Sequence, residues 1–131
     1  MKDLNHARAL LEMAHKDLKA LAGMSDAETF ADEVYGFHAQ QVVEKTLKAW
    51  LVILGCDYSK THNIRVLLAY LKEAGSDVES LLDLIEYNAF AVQFRYETLD
   101  IFEETLDRPA IFKRVNDLWH RVEQMLKDLN G

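Results

Sequence analysis

Six side chains carry the groups that a phosphate-bearing ligand would need: His38, Gln41, Lys45, His62, Arg95 and Tyr96. Arg and Lys suit phosphate, Gln reads base edges or ribose hydroxyls, Tyr offers a stacking face, and His titrates near neutral pH. The same residues have a plainer role open to them. His38 and Gln41 can hydrogen-bond a neighbouring helix, and Thr61-His62 can be only a helix start, because buried polar groups need partners whether or not a ligand exists. Arg95 and Tyr96 stand where the helical pattern ends, which favours a ligand role for that pair.

Four of the six depend on one helix or its neighbour. In Val34 to Trp50, steps of 100° per residue put Tyr35, Ala39, Val42, Val43, Leu47, Ala49, Trp50, Ile53 and Leu54 in one broad apolar sector. His38, Gln40, Gln41, Glu44, Lys45 and Lys48 form the other side, with Gln41 to Lys45 and Gln40 to Glu44 to Lys48 one turn apart. This helix is expected from about Ala27 to Leu54, capped by Ser25 or Asp26 and loosened near Gly36. An earlier helix has its seam at Leu4, Ala7, Leu11, Ala14, Leu18 and Leu21 and ends near Gly23.

After the turn at Gly55 to Lys60, Ser59 or Thr61 caps a short helix bearing Ile64, Leu67, Leu68 and Leu71, which Gly75 and Ser76 close. A fourth helix places Val78, Leu81, Leu82, Ile85, Ala89 and Val92 on one side. From Phe94 to Leu106 the aromatics fit neither helical nor strand period, so an irregular connection is expected there, of a length often functional in compact domains. Pro109 suits the first turn of a last helix capped by Asp107, with Ile111, Val115, Leu118, Val122, Met125 and Leu129 as its buried stripe. The pattern is all-α: one domain over residues 1–131, an antiparallel up-and-down bundle of four to five helices.

Composition excludes several classes. With 131 residues, 50% hydrophobic and 28% charged, the chain reads as a globular domain. Its net charge of −7 disfavours a broad, sequence-independent nucleic-acid surface, though not a small local basic site. No leader-like start or membrane-length apolar run is visible, so a cytoplasmic location and no membrane partner are expected. The lone Cys56 follows an apolar run and is expected to be buried and inert. The five His are scattered, without a His-x-x-His or His-Glu-x-x-His pair, so no metal is expected, and no Gly-rich phosphate loop or other cofactor motif appears.

Three blocks in order, Phe37-His-Ala-Gln-Gln41 with Glu44-Lys45 and Lys48-Ala49, then Thr61-His62-Asn-Ile64, then Arg95-Tyr96, resemble the HEPN domain family over nearly the whole chain. The resemblance implies a bundle of four or five helices that usually dimerises and, in prokaryotes, is found beside a separate minimal nucleotidyltransferase in pairs resembling toxin and antitoxin systems. It also implies that ribonuclease members cut RNA through an Arg and a His with four to six residues between them. Here Arg95 is followed by Tyr-Glu-Thr-Leu-Asp-Ile, without His, and Glu97 stands where the family often has Pro. The spacing does occur at Arg8 to His15 and Arg114 to His120, inside amphipathic helices whose charged residues read as solvated surface.

The resulting expectation is a non-catalytic or weakly catalytic HEPN protein, a homodimer that binds a nucleotidyltransferase and presents a nucleotide or RNA site. The alternative is a metal-independent ribonuclease toxin, in which His62 or His38 would be the base that activates a ribose 2′-hydroxyl and Arg95 the cation at phosphorus.

Overall fold

The computed structural model describes residues 3–90 and 106–130. Among them there are four α-helices, one 3-10 helix and no strand: α1 (Leu4–Gly23), α2 (Asp32–Ile53), α3 (Ile64–Glu73), η1 (Glu79–Phe90) and α4 (Arg108–Asn130). The helix α2 lies at the centre and touches all the others; α1 and α4 pack on it and on each other, while α3 and η1 pair against another part of it. No helix among the described residues is long and apolar enough to cross a membrane.

The seam of α1 is as its spacing predicts, with Ala7, Leu11, Ala14, Leu18 and Leu21 buried and Leu10 and Asp17 added to it. Val43 and Leu47 of α2 are fully enclosed and Trp50 nearly so, whereas Leu54, expected in the core, is 38% exposed beyond the helix end. Because α2 is surrounded, its burial runs well past one sector: Gln40, Glu44 and Thr46 are buried too.

Three boundaries differ from expectation. The helix α2 begins at Asp32 rather than Ala27, because Asp26 closes a turn of its own, accepting from the Glu28 amide at 2.9 Å and from the Thr29 hydroxyl at 2.6 Å. Those two bonds and the nearby Arg108 charge hold its carboxyl below the usual range. Asn63, not Ser59 or Thr61, caps α3, accepting from the Arg65 amide at 2.9 Å, while the Thr61 hydroxyl supports the cap through the Asn63 amide. In α4, Asp107 caps as expected, accepting from the Ala110 amide at 3.1 Å, but the stripe ends on Leu126, and Leu129 is 46% exposed.

The fourth element is the clearest correction. A 3-10 helix turns every three residues, so Val78, Leu81, Leu84, Tyr87 and Phe90 share an edge; four of them are buried, with Tyr87 half-buried, while Leu82 is exposed. At its end the Phe90 ring lies on Gly36, so close that a Cβ there would stand 2.1 Å from a ring carbon. Gly36 therefore does not loosen α2; it admits the ring. Asn88 ties the same element to the start of α3, accepting from the Ile64 amide and donating to the Asn63 side chain, each at 2.8 Å.

Candidate functional site

The polar side of α2 forms two networks, each built on one buried carboxylate. The first belongs to Asp17, on the inner seam of α1 and only 9% exposed. One of its oxygens meets Nδ1 of His38 at 2.8 Å and the other accepts from Nζ of Lys45 at 2.7 Å. These two α2 residues are seven apart, about two turns, so a single carboxylate on α1 spans the gap between them and pins the two helices together. The ring of Phe37 lies edge-on to that of His38, with centroids 5.5 Å apart.

The second network belongs to Glu44, which is 4% exposed. Its Oε1 accepts from Gln40 at 3.1 Å and meets Nδ1 of His62 at 3.0 Å, while Oε2 takes Nζ of Lys48 at 3.1 Å. Gln40 donates also to the His62 carbonyl at 3.2 Å and accepts from the Gln41 amide at 2.7 Å. A fully buried amide thus has its oxygen and nitrogen both engaged, which is what burial of such a group requires. The Tyr58 ring stands 5.7 Å from the Lys48 ammonium, and burial, then the Glu44 charge, pushes its phenol up.

Of the six residues singled out from sequence, His38 and Lys45 are joined through Asp17, and Gln41 and His62 through Gln40 and Glu44. Arg95 and Tyr96, with the connection from Phe94, lie outside the described residues. The cations of this face are neutralised from within the chain. Lys45 and Lys48 each have a carboxylate, and both imidazoles are held through Nδ1. Such a contact fixes the ring and directs Nε2 away from the carboxylate, an arrangement that orients a base in some enzymes and serves only packing in others.

Sequence reasoning missed two residues here. Asp17 was legible: Leu10, Ala14, Asp17 and Leu21 follow steps of four, three and four, so a carboxylate occupies a place the spacing reserves for the core. Arg108 had no such signal. It is 6% exposed, and its guanidinium donates to the carbonyls of Met24 and Phe30 and to Asp32, and lies 4.8 Å from the Tyr35 ring centre. The Tyr35 hydroxyl returns a bond to the Arg108 carbonyl at 2.9 Å, and burial pushes that phenol up. These contacts fasten the connection between α1 and α2 to the start of α4. Cys56 is half-buried rather than enclosed.

Of the two Arg and His spacings inside helices, Arg114 forms a fork on Asp83 of η1, at 2.7 and 3.2 Å, and also bonds the Ser80 carbonyl. That pairing raises the Arg114 pKa and lowers that of Asp83. Arg8 and His15 instead line a groove between α1 and α4. Among the described residues, no group of three or more His, Cys, Asp or Glu is placed to hold a metal ion.

No curated protein and no solved structure matches the chain. The HEPN domain family does match, over residues 7–127, which includes α2, α3, η1, all but the start of α1 and all but the end of α4. With that match over most of its length and an all-helical bundle for its fold, the chain belongs to the HEPN domain family.

Proposed function

We propose that this HEPN chain works by binding rather than by cleaving: a homodimer that pairs with a separate minimal nucleotidyltransferase, in the manner of a toxin and antitoxin, and carries a nucleotide or RNA site. The observation that supports binding over catalysis is the internal neutralisation of the α2 face. A metal-independent ribonuclease needs uncompensated positive charge at the phosphate in its transition state. Here Lys45 is 2.7 Å from Asp17 and Lys48 is 3.1 Å from Glu44, and the same carboxylates hold His38 and His62. Arg95, the remaining cation of the sequence constellation, lacks a following His at the ribonuclease spacing.

The pairing and the dimer rest on the family resemblance. The apolar sector of α2 is covered by α1, α3, α4 and η1 of the same chain. Light scattering at tens of micromolar is expected to give twice the mass of 15.1 kDa; a monomer mass removes the dimer. A minimal nucleotidyltransferase encoded beside this reading frame is expected to co-purify when the two are expressed together, and failure to associate removes the pairing.

The ribonuclease alternative is favoured by one feature, the carboxylate-held imidazoles, with His62 retaining 65% of its side-chain exposure. Incubation of the purified protein with RNA, with and without chelator, separates the two. Intact RNA in both arms is expected. Cleavage that persists with chelator and disappears in His38→Ala or His62→Ala overturns the binding reading.

A further inference from the structure

Free positive charge is gathered elsewhere, in the groove between α1 and α4, which has a volume of about 630 Å³. Arg8, Lys16 and Lys19 of α1 and Lys127 of α4 line it, against the carboxylates of Glu12 and Glu123. Lys127 pairs with Glu123 at 3.2 Å and Arg8 donates to Asn5, whereas Lys16 and Lys19 form no ion pair among the described residues. In a chain of net charge −7, four cations outnumbering two carboxylates make a local exception. Half-buried His15 also lines the groove, tilted against the Trp119 indole with ring centroids 4.9 Å apart.

The chemistry of the groove selects its occupant. Leu11, Trp119 and Leu126 form the floor, yet they are only 3%, 7% and 6% exposed, so an amphipathic helix laid there would gain little apolar burial. What the groove offers is charge and the edge of a ring stack, which suits phosphates joined to bases. From Arg8 to Lys19 the cations extend along about 16 Å of helix at 1.5 Å per residue, longer than one phosphate group. We infer that this groove binds a short stretch of single-stranded RNA, with Arg8, Lys16 and Lys19 on its phosphates and His15 beside a base. This rests on the reading that the protein has an RNA site, and moves that site from the α2 face to the opposite use of α1.

The test is fluorescence anisotropy of the full chain with a labelled single-stranded 12-mer oligoribonucleotide over a salt series. Three phosphate contacts predict that log affinity falls with log salt at a slope of about −2. Lys16→Glu with Lys19→Glu is expected to weaken binding at least about tenfold and to reduce the slope by about 1.4. Both lysines are exposed, and an unchanged unfolding midpoint verifies that the variant is folded; Lys16→Gln with Lys19→Gln should weaken binding less. Wild-type binding that is unchanged in the charge-reversed variant overturns the groove while leaving the RNA reading intact. If the wild type binds no RNA at low salt, that reading fails first. Equal affinity for a nucleoside monophosphate would mean a one-nucleotide pocket and overturn the strand. Retained RNA binding with lost nucleotidyltransferase association would make the groove a protein-docking surface, which also overturns it.

Discussion

Replacing Asp17 by Asn tests whether the polar face of α2 is a structural clamp. The change keeps the shape and removes the charge that holds Lys45 at 2.7 Å and His38 at 2.8 Å. A hydrogen bond to a charged group contributes roughly 1.5–3 kcal/mol and a neutral one about 1 kcal/mol. Both contacts are made to the Asp17 carboxylate, so together they give about 3–6 kcal/mol. Two effects lower this figure. The Lys45 and His38 side chains retain 18% and 27% of their exposure and recover part of their hydration, and the Asn oxygen still accepts one bond. A loss of about 2–3 kcal/mol is expected, read as the shift in urea midpoint at constant slope. Lys45→Met keeps much of the apolar stem but leaves the Asp17 carboxylate, 12% exposed, with His38 as its remaining partner, so a loss of similar size is expected there. An Asp17→Asn effect below about 0.5 kcal/mol would refute the clamp, because it would mean that Lys45 and His38 find equal partners in water.

Gly36→Ala should cost about 1–3 kcal/mol or more, because the new Cβ would meet the Phe90 ring at 2.1 Å; Phe90→Leu in the same chain should restore part of the loss, and an unchanged thermal midpoint for the single variant would show that the ring moves freely. Leu47→Ala, in the fully enclosed centre of α2, should cost about 2–5 kcal/mol in chemical denaturation, and less than about 0.5 kcal/mol would mean that the α2 face is misplaced. Asp83→Asn should lower stability at pH 7 by at most about 1 kcal/mol, since the pair it forms with Arg114 is partly exposed. Its folded pKa is depressed below 3.8, so the contribution is present above that value and fades as the pH falls through the lower one; wild type and variant should converge there in acid unfolding, and a constant gap across that range would contradict it.

The fold was legible wherever one period governed burial. The seam of α1 and the Asp107 cap of α4 follow from local rules that tertiary packing did not override. The failures have particular causes. Over η1 the sequence supports two readings, because Val78, Leu81 and Ile85 fit a step of three and four while Val78, Leu81, Leu84, Tyr87 and Phe90 fit a step of three; the latter is the observed one, with Leu82 left outside. Asn88 bonding the start of α3, and Phe90 requiring a bare backbone at Gly36, are long-range constraints that periodicity within the segment does not contain. At α2 the types and the spacing of the polar residues were visible, but their partners were not. A helix in the middle of a bundle buries its polar side as well, so Gln40 and Glu44 had to be satisfied from inside the protein. The carboxylate that completes the face is Asp17, on another helix, and its only trace in the sequence is that it interrupts an apolar seam. Among the described residues, Lys16 and Lys19 of α1 form no ion pair; they stand immediately beside Asp17 and Leu18 in sequence but outside the seam those two occupy. The same helix thus supplies a carboxylate to Lys45 of α2 on one face and carries the unpaired Lys16 and Lys19 on another.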